Sequence, residues 1–209
     1  MSADTRQRPL KEKLREARTE LILDVAEEVL VEKGYHDTAM DEIAARAGIA
    51  KGTLYQHFPH KEDLGFALFE RGLMLFERIV QQAAISSELT VRARLERILL
   101  AVYQEHQGQR AHLLQLLYHD MDIRKSLLEK KGRLRERVER CADQIRKMME
   151  EGQTAGEFDP TISVELMQTL FMHSLWFNRS EHLHLQEQLS PAELSHQIGR
   201  IFFEGFATR

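Results

Sequence analysis

The sequence predicts an all-α fold of nine helices in two domains. Apolar residues recur at helical spacing along most of the chain, strand-like alternation is almost missing, and proline occurs only at positions 9, 59, 160 and 191. With 209 residues, 43% of them hydrophobic and 30% charged, the chain can bury a small core and a medium one.

Residues 1–10 are polar, carry Arg6 and Arg8, and are expected to form a flexible basic arm. A first helix is expected from Lys11 to Lys33, with Ile22, Val25, Ala26, Val29 and Leu30 on its apolar face and Gly34 as its stop. A second follows over Ala39–Ala47, with Thr38 before it, Asp41 and Glu42 in its first turn, and Ile43, Ala44 and Ala47 facing inward. The third spans Lys51–His57. Pro59 breaks the chain, and a connecting helix runs over 61–84. Beyond a polar joint at Ile85–Leu89, helices are expected at about 90–107, 110–121, 123–152, 161–179 and 190–207. The glycines, Asp and Pro of Glu151–Pro160 mark one break, and Ser190-Pro191-Ala192-Glu193 has the form of a capping box with proline at the first helical position. The expected organisation is an arm (1–10), a helix-turn-helix domain (11–60), the connecting helix (61–84) and a second domain (85–209).

Charge and cysteine usage narrow the function classes. The net charge is −4, and residues 1–61 hold ten Lys/Arg against eleven Asp/Glu, so any nucleic-acid affinity must come from local placement of charge. Cys141 is the only thiol, which excludes an internal disulfide and a Cys-rich zinc site. His182 and His184 lack a His-Glu-x-x-His context, so no metal is expected. No nucleophile elbow, P-loop or dinucleotide glycine pattern is present, and neither a cofactor nor an enzyme is expected. Without a membrane-length apolar run or a signal segment, the expected location is the cytoplasm, away from membranes.

The most informative stretch is Thr38–Lys61. Gly48 can take the positive φ that lets two helices meet steeply, while Ile49, Leu54 and Phe58 bury against the first helix. Lys51, Gly52, Thr53, Tyr55, Gln56 and His57 are then left outside. Gly52 removes bulk where backbone must approach DNA, Thr53 and Tyr55 offer hydroxyls to phosphate, and Lys51 can reach a base edge. Lys61 opens the next helix, where the dipole already attracts an anion.

These residues resemble the tetracycline-repressor (TetR) family of transcriptional regulators over G-Y-H-D-T-A-M-D-E-I-A-A-R-A-G-I-A-K-G-T-L-Y-Q-H-F-P-H-K-E-D-L, residues 34–64. That is about a seventh of the chain; residues 85–209 resemble the family only in architecture. The resemblance implies a homodimer whose recognition helices enter successive major grooves of a palindromic operator. Lys51 and Gly52 match base-contacting positions, and Gln56 joins them on the outer face. Thr38, Thr53, Tyr55, His57 and Lys61 match phosphate-contacting positions. Asp41 stands where some members carry a guanine-reading Arg, so it is expected to serve the helix dipole instead. Arg6, Arg8, Lys11 and Lys13 could add contacts from the arm.

The second domain is too apolar to be a mere appendage. On 161–179, Ile162, Leu166, Leu170, His173 and Phe177 form one stripe, and Val164, Met167, Phe171 and Leu175 another. With Leu194, Ile198, Ile201, Phe202 and Gly205 of the last helix, the first stripe is expected to build an isologous dimer interface. An effector pocket is expected from Leu73, Phe76, Leu99, Val102, Tyr103, His106, Leu114, Leu117, Tyr118, Val138, Cys141, Ile145, Phe171 and Ser174, suited to a small lipophilic or aromatic molecule. The function expected is a ligand-released repressor. The rivals are an activator or ligand-independent regulator and, in another class, a helical sequestering or interaction protein.

Overall fold

The computed structural model describes residues 10–106, 131–175 and 189–205. Among the described residues there are eight helices and no strand, one helix fewer than expected; the run expected at 110–121 lies outside them. The helices are α1 (Leu10–Asp37), α2 (Met40–Arg46), α3 (Lys51–His57), α4 (Lys61–Ile85), α5 (Val91–His106), α6 (Lys131–Thr154), α7 (Val164–Leu175) and α8 (Pro191–Glu204). None of them is long and apolar enough to cross a membrane.

Two cores divide the helices. The first is built from Ile22, Leu23, Ala26, Val29 and Leu30 of α1, Ile43 and Ala44 of α2, Leu54 and Phe58 around α3, and Leu64 and Leu68 of α4. The second joins Phe76, Val80 and Ala83 of α4 to α5, α6, α7 and α8. Both cores therefore hold the same helix, α4.

Local chemistry explains the boundaries. α1 breaks at Gly34, whose φ of 80° an L-residue would resist, and one further turn brings Tyr35 into the core. α2 ends in a Schellman arrangement: Ile49 N–H donates to Ala44 O at 3.0 Å and Gly48 N–H to Ala45 O at 3.2 Å, with Gly48 at φ 64°. At the start of α8 the Ser190 N–H donates to the Glu193 carboxylate at 2.8 Å, and Glu193 N–H donates to Ser190 Oγ at 3.3 Å, the capping box expected there.

Polar side chains fix α4 within the second domain. The C-terminal carbonyls of Ala83 and Ala84 accept from the buried Arg94 guanidinium, each at 3.1 Å, and Arg94 also binds both oxygens of Glu151 on α6. The Glu157 carboxylate in turn accepts from the N–H groups of Val91 and Arg92, closing the start of α5. Midway along α4, Glu77 pairs with Arg137 and Arg140 of α6.

Candidate nucleic-acid interface

The Gly48 turn sets α3 against α1 through Leu54 and Phe58, both buried. The opposite side of α3 carries Lys51, Gly52, Tyr55 and Gln56, all exposed. A Cβ built on Gly52 meets nothing within 4 Å, so this turn offers bare backbone to a ligand surface. Thr53 is half-buried beside it.

Lys51 Nζ lies 2.7 Å from Asp41 Oδ2 and 5.9 Å from the centre of the Tyr55 ring. The Asp41 hydrogen bond, then its charge, raises the Lys51 pKa and keeps the ammonium charged. Asp41 thus does more than complement a helix dipole: it holds the lysine at the exposed start of α3. The cations behind this face are already committed. Arg46 bridges Glu32 and Glu42, and Lys33 also binds Glu42.

Lys61 sits at the first turn of α4, donating to His36 O at 3.2 Å, with its ammonium 4.5 Å from the centre of the Tyr35 ring. It therefore adds a localised cation to the helix N-terminus.

Thr38 requires a correction. Its side chain is buried and its hydroxyl donates to Gly34 O at 2.7 Å, so its only hydrogen is spent inside the protein. Ala39, not Thr38, occupies the N-cap of α2. Thr38 is a staple across the Gly34 break rather than a phosphate donor.

His57 is half-buried, with Nδ1 2.9 Å from Thr19 Oγ1, and Thr19 Oγ1 also donates to Arg15 O at 3.0 Å. A hydroxyl has one hydrogen. With that hydrogen on the Arg15 carbonyl, Nδ1 must carry the imidazole proton, and neutral His57 then has only an acceptor at Nε2. Burial first, then the charges of Arg15 and Arg18, lower the His57 pKa, so the neutral form prevails at pH 7. His57 can donate to a phosphate through Nε2 only when protonated.

The expected effector wall resolves into packed core. Phe76, Leu99, Val102, Tyr103, Cys141, Ile145 and Phe171 are buried together, with Leu73 packed against them. Tyr103 and Ser174 do not turn polar tips to a ligand. The Tyr103 hydroxyl donates to Ser174 O at 2.5 Å, and Ser174 Oγ donates to Phe171 O at 2.7 Å. Burial pushes the Cys141 thiol up to about 11, as suits a structural thiol. Val138 is exposed instead. A cleft of about 250 Å³ opens outward between α4 and α5, lined by Ile79, Gln82, Leu100 and Gln104 among others. It falls below the usual size of a small-molecule site, roughly 300–1,000 Å³. The side chain of His106, and Leu114, Leu117 and Tyr118, lie outside the described residues.

The expected dimer face also divides. Leu166, Leu170 and His173 form an exposed stripe on α7, Ile201 is 79% exposed on α8, and Gly205 is exposed after it. Leu194 and Phe202 are buried in the chain's own core and Ile198 packs against it, so these three are corrected to intrachain packing. The helical period explains the split: the buried side of α8 is centred on Ser195, Gly199, Phe202 and Phe203, Leu194 and Ile198 lie along one edge of it, and Ile201, nearly in line with Leu194, falls just beyond that edge. Phe177 lies outside the described residues.

An exposed recognition helix behind a glycine turn, seated on its own small core and joined by a long helix to a second all-helical domain, defines a helix-turn-helix regulator. Comparison with known proteins specifies the family. The model of bacterial regulatory proteins of the tetR family matches residues 22–68, which are the first and last members of the N-terminal core. The transcriptional regulator AcuR of Cereibacter sphaeroides is 30% identical over 192 residues, covering 87% of this chain and 82% of that protein. The structure of FadR from Bacillus subtilis in complex with stearoyl-CoA superposes with a TM-score of 0.71 at 20% identity, over 90% of this chain and 98% of that one. AibR in complex with isovaleryl coenzyme A and operator DNA does so with a TM-score of 0.68 at 19% identity, over 89% and 98%. At such identities the two structures speak for the fold. The chain belongs to the tetR family, and it is a DNA-binding transcriptional regulator.

Sequence reasoning missed three pairings. The Asp41–Lys51 and Thr19–His57 pairs join residues on different helices, so no spacing along one helix announces them. Arg71 of α4 binds Asp24, Glu27 and the Leu23 carbonyl of α1. Its signal was faint: Glu20, Asp24 and Glu27 lie along one face of α1, where like charges repel and a cation on a neighbouring helix relieves them.

Proposed function

We propose that this chain is a repressor that binds a palindromic operator as a homodimer and is released by a small lipophilic acyl effector, an acyl thioester of coenzyme A being the first class to test. The observation that carries the DNA reading is the exposed start of α3, where Lys51 stands beside the bare backbone of Gly52. Lys51 and Gly52, with Gln56, read base edges. Thr53, Tyr55 and Lys61, with protonated His57, hold phosphates. The exposed α7 stripe of Leu166, Leu170 and His173, with Ile201 and Gly205, meets its symmetry mate and spaces the two recognition helices about one DNA turn apart, roughly 34–36 Å. The acyl-CoA class is supported by the ligands of the FadR and AibR structures.

Because α4 contributes to both cores and Arg71 ties it to α1, a ligand that displaces α4 changes the setting of the DNA-binding domain. Release requires the ligand to favour the displaced state; equal affinity for both states shifts nothing. A coupling of about 1–3 kcal/mol gives about 5–150-fold weaker operator binding.

The test is fluorescence anisotropy on the DNA flanking the protein's own gene, with an acyl-CoA chain-length series added. Lys51→Ala is expected to narrow the preference for operator over scrambled duplex. Tyr55→Phe with Lys61→Ala is expected to weaken both duplexes equally. A preference untouched by Lys51→Ala removes its base-reading role, and operator binding indifferent to every acyl-CoA removes that effector class. An in vitro transcription assay reads the sign of regulation; an operator-dependent increase in transcript would make the protein an activator.

A further inference from the structure

α1 begins well before its core. Ile22 is its first core residue, so residues 10–21 project as about three helical turns, roughly 18 Å long. The projection separates its charges by face. Lys11, Arg15 and Arg18 recur at intervals of four and three, and Glu12, Glu16 and Glu20 follow a neighbouring line at intervals of four. The basic line faces α3. Together with Leu10 and Leu14, it walls an open cleft of about 630 Å³ whose other side is Gln56 and His57, the last two residues of the recognition helix.

Four other cations of this domain are neutralised. Lys33, Arg46, Lys51 and Arg71 each bind a carboxylate. Lys11, Arg15 and Arg18 bind none among the described residues, although three glutamates share their helix. Like charges gathered around one cleft repel one another unless an anion enters. The cleft also ends in polar donors, the Gln56 amide and, once protonated, the His57 imidazole.

We infer that the α1–α3 cleft is a phosphate-binding site, in which Lys11, Arg15 and Arg18 grip the DNA backbone beside the major groove that α3 enters. This deepens the DNA-binding reading above and rests on it. It assigns to α1 a charged rail that holds the duplex without reading sequence. Phosphate entry also favours the protonated form of His57, supplying an Nε2–H donor that the free protein lacks.

The experiment compares wild type with Arg15→Gln/Arg18→Gln and, separately, Lys51→Ala, by anisotropy on operator and scrambled duplexes across a salt series. All three substituted side chains are exposed, and circular dichroism checks that the fold is kept. The double variant is expected to bind both duplexes more weakly, on the order of tenfold at low salt, with their ratio unchanged. Its salt slope should be shallower by about 0.9 for each DNA phosphate that the variant no longer neutralises. Unchanged affinity and slope in a protein whose wild type binds operator would overturn the rail while leaving the DNA-binding reading intact. Wild type that binds no duplex would remove that reading itself. A second arm titrates inorganic pyrophosphate while following the His57 imidazole by NMR. Weak, salt-sensitive shifts together with the duplex effect support a backbone site. Tight pyrophosphate binding with no duplex effect would assign the cleft to a free phosphorylated ligand and overturn the proposal.

Discussion

His57 bridges α1 and α3 through Thr19, and its imidazole is held neutral by burial and by the charges of Arg15 and Arg18. A DNA phosphate in the adjoining cleft offsets the two arginine charges and, as a neighbouring anion, raises the pKa again. The free protein then releases the proton more readily than the complex does, so binding takes up a proton. Affinity should increase as the pH falls from about 8 towards 6, through the window between the raised and the lowered pKa, and level off where both states are protonated. Anisotropy titrations over that range measure the effect, and His57→Gln should remove this component of the slope. An unchanged pH profile in the variant would detach His57 from the phosphate. Which side of α3 is exposed was legible in the sequence, because the apolar Leu54 and Phe58 are spaced to bury together behind Gly48. How the polar side chains are engaged was not. The Thr38 hydroxyl turns inward to the Gly34 carbonyl and Lys51 turns to Asp41, and both depend on distances between separate elements.

Among the elements, the α2–α3 turn and α4 determine how the domain is aimed. Gly48 sits at φ 64° with open space around its missing Cβ, so Gly48→Ala meets no clash and costs only backbone strain. Urea denaturation should show a loss of about 1–2 kcal/mol, and a neutral result would mean the turn can relax. Arg71 ties the middle of α4 to α1 by charge, as Lys61 ties its start to the His36 carbonyl, and Glu27, one of the Arg71 partners, is buried. Arg71→Ala should cost about 1–3 kcal/mol by the same assay. It should also reduce the factor by which an effector weakens operator binding, and full coupling in a folded variant would exclude Arg71 from transmission. The start of α8 was legible from Ser190-Pro191 and Glu193, whereas the Thr38 signature before α2 marked a residue that turns inward and leaves the N-cap to Ala39. The start of α7 was not legible. Asp159 accepts from Thr161 N–H and hydroxyl, a local turn that delays the helix to Val164.

For the whole molecule, two cores joined by one helix give a head that holds DNA and a body available to sense and to pair. The two-sided α7 stripe was legible from sequence as an all-round apolar helix, and the structure separates its sides: Met167, Phe171 and Leu175 point into the core, Leu166 and Leu170 outward. The α8 stripe was misassigned because a surface helix packing on its own domain and one packing on a twin share the same period. Leu166→Lys with Leu170→Lys should leave helix content unchanged and convert a dimer to monomers in sedimentation, with operator affinity falling accordingly. The most direct test of the account is a salt-resolved titration of the palindromic DNA flanking the gene against a scrambled duplex, with and without acyl-CoA. The account predicts a preference of at least about 10³-fold for the palindrome, a steep loss of affinity with salt, and release by an acyl-CoA. Equal, effector-indifferent binding to both duplexes at every salt concentration would contradict it.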